Sequence, residues 1–155
     1  MIQRIQSLYL TIVLFLSLLF FAGSVFKFTD ESGKAIQLLL NGNLTDQSGQ
    51  SFAQPHTVWP LTGLLILISA LSLITIFLFK NRKIQLILSM AVILAASGLI
   101  IALSFYAVSL MHAFRLTVIP GFKMVVPVLN LIFSILAYRG IMKDDRLVKS
   151  YDRLR

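Results

Sequence analysis

The chain has 155 residues, of which 57% are hydrophobic and only 13% are charged. A soluble domain carries about 45–50% apolar and about 25% charged residues, so this composition excludes both an ordinary soluble globule and a disordered chain. The sequence contains no cysteine, which excludes disulfides and thiol chemistry. The class that remains is an integral membrane protein that crosses the bilayer several times.

Four apolar stretches have the length of a membrane-spanning helix, which needs about 20 residues for a hydrocarbon core of about 30 Å. They cover residues 8–26, 59–79, 84–111 and 122–138. The third stretch stays uncharged as far as Ala113, so we expect it to tilt or to project beyond the membrane. The sequence therefore predicts an all-α membrane protein, a four-helix transmembrane bundle formed as one domain.

The first apolar stretch is also compatible with a cleavable signal peptide. Arg4 precedes it, and the small residues Ala22, Gly23 and Ser24 follow at a position where a cleavage site can lie. The apolar run is long for a signal peptide, which favours a helix that is retained. Finding that the mature protein begins near residue 25 would show that the segment is cleaved.

Lysine and arginine are distributed unevenly between the two sides of the predicted bundle. Ten of the fourteen lie in the N-terminal segment, in the connector between spans two and three, and in the tail after span four. The other four are Lys27, Lys34, Arg115 and Lys123. Because cytoplasmic loops carry the excess of basic residues, the sequence predicts that both termini are cytoplasmic. The positive charge therefore reports topology, and we expect no nucleic-acid partner.

The long connection between spans one and two, residues 27–58, is predicted to lie outside the cytoplasm. Its Asn41-Gly42 pair favours a two-residue turn, because both residues accept positive φ. We expect a small β-hairpin around this turn. A two-stranded sheet is marginal alone, so the hairpin would have to rest on the helix ends or on a partner.

The cytoplasmic tail, residues 139–155, has apolar residues at helical spacing. We expect a C-terminal amphipathic helix that lies along the membrane face, with its basic residues on the anionic lipids of the cytoplasmic leaflet or on a partner. A topology anchor with a solvated face is the alternative. The basic residues of the tail are Arg139, Lys143, Arg146, Lys149, Arg153 and Arg155.

The two ends of the chain have the most recognisable sequence. Residues 1–10 read MIQRIQSLYL, and residues 137–155 read AYRGIMKDDRLVKSYDRLR. Together with the length and the number of spans, these segments resemble a family of uncharacterised bacterial four-span inner-membrane proteins, mainly from Bacteroidetes, described as a domain of unknown function. The resemblance implies a bacterial inner membrane and a multi-pass topology. It implies no activity, cofactor or catalytic residue.

Span three has one face of small residues. Ala91, Ala95, Gly98 and Ala102 follow one another at spacings of four, three and four. Such residues let helix backbones approach closely. We interpret this face as a seam for packing against another helix of the same chain, with a docking seam for another subunit as the alternative.

Span four carries the polar residues that are candidates for a binding site. Lys123, Pro127 and Asn130 are spaced by four and three residues, so they fall on one helix face. Pro127 would weaken the helix and free a backbone carbonyl near Lys123. One interpretation is a substrate or ion site. The other is a snorkelling lysine, a kink and one interhelical hydrogen bond.

Other kinds of chemistry have little support in the sequence. His56 and His112 both fall near the predicted outer face, but no third metal ligand accompanies them at a recognisable spacing. The predicted spans carry no acidic residue, whereas proton-coupled transport usually uses a buried carboxylate or histidine. No nucleophile with a matching base is visible. We therefore predict no metal, no cofactor and no enzymatic activity.

Two functional hypotheses remain. The first is a non-enzymatic accessory or scaffold subunit of a larger membrane assembly, with a membrane-protein partner or a second copy of the chain. The second is a small transporter or lipid-handling protein that uses the polar face of span four. A water-filled cavity that reaches Asn130 would favour the second hypothesis, and a fully packed bundle would argue against it.

Overall fold

A computed structural model describes residues 3–21, 24–29, 35–40, 44–46, 58–78, 81–115, 117–119 and 121–152. The described residues form a mostly helical protein with one small sheet. Its helices are α1 (Gln3–Phe21), α2 (Trp59–Phe77), α3 (Arg82–Phe114) and α4 (Val126–Asp152), with a 3-10 helix at Phe122–Met124. Its strands are β1 (Ser24–Thr29), β2 (Ala35–Leu39), β3 (Leu44–Asp46) and β4 (Thr117–Ile119).

The four helices pack as a ring in which α1 and α3 each contact both α2 and α4. Gln6 near the start of α1 is hydrogen-bonded to Asp144 near the end of α4, and Gln85 near the start of α3 is hydrogen-bonded to Thr75 near the end of α2. These contacts define one end of the bundle, the termini end. Strands β1, β2 and β3 follow α1, and β4 lies between α3 and α4. The sheet therefore covers the opposite end of the bundle, which we call the sheet end.

The helices are apolar on the outside and partly polar on the inside, the reverse of a soluble bundle. Large apolar side chains such as Phe15, Ile87 and Phe105 are more than 60% exposed. The buried polar residues of the helices are Gln6, Ser17, Ser72, Thr75, Gln85, Ser89, Asn130, Ser134 and Asp144. Since lipid solvates apolar surface and not polar groups, this arrangement fits a protein that crosses a membrane.

Three of the described helices are long and apolar enough to cross a membrane. Their candidate spans are Trp59–Phe77, Arg82–His112 and Phe122–Leu147, and α1 contributes a shorter apolar stretch, Ile5–Phe21. The prediction of a membrane protein with several apolar helices is therefore confirmed. At about 1.5 Å per residue, the 33 residues of α3 extend about 50 Å, well beyond a hydrocarbon core of about 30 Å.

The prediction that span one extends to Phe26 is wrong. The helix ends at Phe21, and the chain continues as β1 from Ser24. Val25 and Phe26 are buried residues of β1 itself, and a β-bulge between Ser24 and Phe26 accompanies the burial of both neighbours. A buried strand and a buried helix segment have the same apolar content, so composition cannot separate them.

The predicted hairpin is confirmed in its strands. β2 and β3 pair antiparallel with Leu38 opposite Leu44, whereas a two-residue turn at Asn41-Gly42 would set Leu38 opposite Thr45. The two-residue turn length is therefore wrong, and the turn itself lies outside the described residues. The hairpin is not isolated, because β1 pairs with both β2 and β4 in a four-stranded sheet of order β3-β2-β1-β4. This larger sheet solves the marginal stability of two strands, since Phe28 and Leu38 are fully buried in it.

The predicted tail helix is confirmed as a helix for residues 143–152, and its position along the membrane face stays a prediction. These residues are helical, but they continue α4 through Gly140 without a break. The Gln6 side chain of α1 contacts Asp144 and holds this part of α4 beside the bundle. Among the basic residues of the tail, Arg139, Lys143 and Arg146 are exposed. The Lys149 side chain, Arg153 and Arg155 lie outside the described part of the chain.

The start of span four also differs from the prediction. Lys123 lies in the 3-10 helix, and α4 begins only at Val126. Pro127 is therefore in the first turn of α4, where a backbone N–H has no helical acceptor in any case. The expected kink at Pro127 is wrong for this reason.

Candidate functional site

A cavity of about 470 Å³ lies at the sheet end of the bundle. Its walls come from the last turn of α1, from β1 and β4, from the second half of α3, and from the 3-10 helix with the first turn of α4. Among the described residues that line it, only Ser104 and Lys123 have polar side chains. We call it the sheet-end cavity. Its volume falls within the range of about 300–1,000 Å³ that is usual for ligand sites.

The sheet-end cavity has a buried inner wall and an exposed outer rim. Phe20, Val25 and Leu103 form part of the inner wall and are at most 7% exposed. Val108 on α3 and Val128 on α4 belong to the rim, with 52% and 45% of their surfaces exposed. The cavity therefore opens sideways, between α3 and α4, onto the apolar surface of the bundle.

Lys123 is the charged residue of this wall among the described lining residues. Its side chain is half-buried, and its ammonium nitrogen lies 5.9 Å from the centroid of the Phe20 ring. That distance is within the range of a cation–π contact. The charge of Lys27 on β1 acts repulsively on the Lys123 ammonium. The polar corner of the cavity is therefore positive, while the rest of the wall is apolar.

The structure divides the predicted polar face of span four. Lys123 and Pro127 both line the sheet-end cavity, but Asn130 does not. Asn130 is 1% exposed, and its Nδ2 donates to Ser17 Oγ of α1 at 3.2 Å. The Oδ1 of Asn130 has no hydrogen-bond partner among the described residues. The structure thus brings together two of the three predicted site residues, Lys123 and Pro127. The third, Asn130, belongs to the α1–α4 interface.

The small-residue face of α3 is turned mainly into the bundle. Ala95 is 7% exposed, Ala102 packs against the buried core, and Ala91 is half-buried. A Cβ added at Gly98 would lie 3.9 Å from Leu64 Cδ2, so this glycine faces α2. The placement agrees with packing inside the chain, which is the first of the two interpretations of this seam.

A buried polar layer at the termini end was missed by the sequence analysis. Gln6 Nε2 donates to Asp144 Oδ2 at 2.6 Å, and an Arg82 Nη donates to the Asp144 backbone carbonyl at 3.1 Å. Gln85 Nε2 donates to the Thr75 backbone carbonyl at 3.3 Å. Each helix contributes to this layer. The available signal was the glutamines, which are polar residues at or beside the ends of apolar helices.

The histidine pair is not assembled by the described structure. His56 lies outside the described residues, and His112 is exposed near the end of α3. Within the described ranges, no group of three or more His, Cys, Asp or Glu side chains could hold a metal ion.

The chain matches a known protein family. Residues 2–154 match the model of the family described as "Domain of unknown function (DUF4293)". No curated protein matches the chain. The match covers nearly the whole sequence, so the sheet-end cavity and the buried polar layer both lie within it.

Proposed function

We propose that this chain, which belongs to the DUF4293 family, is a non-enzymatic integral membrane protein that binds a lipid in the sheet-end cavity. The observation that carries the proposal is the combination of an apolar lining, one ammonium group and a sideways opening. Through such an opening, a lipid chain can pass from the bilayer into the cavity without crossing water. This develops the hypothesis of a lipid-handling protein, with Lys123 and Pro127 retained in the site and Asn130 removed from it.

The proposal includes a bacterial inner membrane that all four helices cross, with both termini cytoplasmic. The termini end carries Arg82, Lys83, Arg139, Lys143 and Arg146 among the described residues. The positive-inside rule then puts this end in the cytoplasm and the sheet on the opposite side. The apolar stretch Ile5–Phe21 of α1 has 17 residues, which is the lower limit of about 17 residues for a spanning helix.

The structure weakens the basis of the accessory-subunit hypothesis. That hypothesis was motivated by an acid-free membrane interior and by the small-residue face of α3 as a seam. Ala95 and Gly98 of this face are turned toward the bundle interior. Transport through Asn130 also loses its basis, because this side chain is buried between α1 and α4 and does not line the sheet-end cavity.

Lipid retention by a cavity-filled variant tests the proposal. Ala107 lines the cavity and is small, so Ala107→Phe fills space that a lipid chain would occupy. Ala70→Phe is the matched control, because Ala70 is exposed on α2 and does not line the cavity. Each protein is purified in mild detergent from a bacterial membrane, and the bound lipid is measured by native mass spectrometry.

We expect the parent chain and Ala70→Phe to retain about one lipid per chain, and Ala107→Phe to retain several-fold less. Equal lipid retention by all three proteins would overturn the proposed function. Thermal unfolding of each protein accompanies the measurement, so that loss of lipid is compared only between folded proteins.

A further inference from the structure

The shape and charge of the sheet-end cavity also indicate which lipid it takes. We infer, on the basis of the proposed function, that the ligand is an anionic phospholipid of the sheet-side leaflet, with its phosphate against Lys123 and one acyl chain in the cavity. Three features point to this ligand: the length of the cavity, the position of its charge, and the charge of a second lysine, Lys27.

The length of the cavity along α3 matches one leaflet. The α3 residues that line it run from Ile100 to Met111, near the sheet end of the helix. These residues extend about 17 Å along the axis at about 1.5 Å per residue. Half of a hydrocarbon core of about 30 Å is about 15 Å. An acyl chain from the sheet-side leaflet therefore reaches from the interface to the inner end of the cavity.

The charge lies at the end of the cavity where a headgroup would be. Lys123 precedes α4 and lies beside Phe20, one residue before the end of α1. The inner α3 residues, Ile100 and Leu103, are apolar. A phospholipid has the same order of properties, with its charge at the interface and its chains toward the midplane.

Two lysines favour an anion over a neutral headgroup. Lys27 on β1 is exposed and does not line the cavity, but its charge acts repulsively on the Lys123 ammonium, and β1 packs against the 3-10 helix that carries Lys123. A phosphate against Lys123 interacts favourably with this ammonium and, at longer range, with the charge of Lys27. The described residues that line the cavity include no carboxylate that would repel a phosphate.

A comparison of two phospholipids with identical acyl chains tests this inference. The parent chain is titrated in detergent with phosphatidylglycerol or with phosphatidylcholine, and binding is followed by native mass spectrometry. We compare Lys123→Gln and Lys27→Gln with Lys143→Gln, a matched control that removes an exposed charge at the opposite end. Inorganic phosphate is added as a competitor in a separate titration.

We expect the parent chain and Lys143→Gln to bind phosphatidylglycerol more tightly than phosphatidylcholine. Each lysine near a lipid headgroup contributes about fivefold in affinity, so Lys123→Gln should lose about that factor and Lys27→Gln at most as much. The parent chain could bind both phospholipids equally, while Ala107→Phe binds neither. That result would overturn the inferred preference for an anionic headgroup, but it would still support lipid binding in the cavity. Displacement of phosphatidylglycerol by millimolar phosphate would also overturn the inference, because the anion alone would then be sufficient.

Discussion

At the residue scale, Gly140 of α4 lies against the Gln6 side chain of α1 with little space for a side chain of its own. A Cβ built there would lie 2.9 Å from Gln6 Cγ, which is closer than such atoms approach in proteins. The Gln6 side chain crosses the α4 backbone at this point and reaches Asp144 one turn further on. The glycine therefore permits the hydrogen bond between α1 and α4.

We expect Gly140→Ala to destabilise the protein by about 1–3 kcal/mol, because Gln6 would have to leave its buried acceptor. Gly63→Ala and Gly98→Ala are controls on α2 and α3. A Cβ at Gly63 meets nothing within 4 Å, and a Cβ at Gly98 meets only Leu64 at 3.9 Å. Equilibrium unfolding in detergent measures the three variants. The same stability for Gly140→Ala as for the two controls would contradict the close fit.

The buried Asn130–Ser17 hydrogen bond is a second prediction at this scale. Interhelical hydrogen bonds in membrane proteins contribute about 0.6 kcal/mol on average, because the unfolded chain in the membrane also finds partners. We expect a double-mutant cycle of Ser17→Ala and Asn130→Ala to give a coupling energy of that size. A coupling above about 2 kcal/mol would point to a role for Asn130 beyond this one bond.

At the element scale, α1 and α4 are joined at the termini end by Asp144. Its carboxylate is 8% exposed and accepts a hydrogen bond from Gln6, which is 3% exposed. Removing the carboxylate would leave the buried Gln6 amide without this acceptor. We expect Asp144→Ala to lower the free energy of unfolding by about 1–3 kcal/mol.

The neighbouring Lys143→Ala is the matched control for Asp144→Ala, because Lys143 is exposed on the same turn of α4. Its stability should remain within about 0.5 kcal/mol of the parent chain. Asp144→Asn keeps one side-chain oxygen and should lie between the two. If all three variants have the same free energy of unfolding as the parent chain, the contact between α1 and α4 does not contribute to stability.

The sheet is the other element that joins distant parts of the chain. Phe28 of β1 is fully buried, and its ring centroid lies 5.8 Å from that of Phe26. We expect Phe28→Ala to destabilise the fold by about 3–5 kcal/mol, because it leaves a cavity where the sheet meets the helix ends. Thr117→Ala, at an exposed position of β4, should change little by the same unfolding measurement. A small effect of Phe28→Ala would mean that the sheet is dispensable for the bundle.

At the scale of the whole molecule, the cysteine-free sequence makes the membrane topology directly testable. Single cysteines introduced as Thr117→Cys and Lys83→Cys lie at the sheet end and the termini end, and both positions are exposed. In intact bacterial cells whose outer membrane is permeabilised, a membrane-impermeant maleimide should label position 117 alone. After cell lysis it should label both. Labelling of both positions in the intact cells, or of position 83 alone, would contradict the proposed orientation.

Membrane class, helix periodicity and the hairpin followed from the sequence by itself. Long uncharged runs can satisfy their backbone in lipid only as helices, and Asn41-Gly42 favours a tight turn whatever surrounds it. The seam on α3 was also predictable, since small residues at spacings of four and three share one face. These features depend on neighbours along the chain, and for that reason composition and spacing reveal them.

Only the tertiary structure decided where the apolar runs change from helix to strand and which polar groups meet. Val25 and Phe26 continue the apolar run of α1, and the pairing of β1 with β2 on both sides of them is what makes them strand residues. Asp144 reads as a surface residue of a basic tail until Gln6, 138 positions away, is placed against it. The cavity likewise needs walls from both chain halves, because burial and long-range contact are properties of the folded chain and not of any local segment.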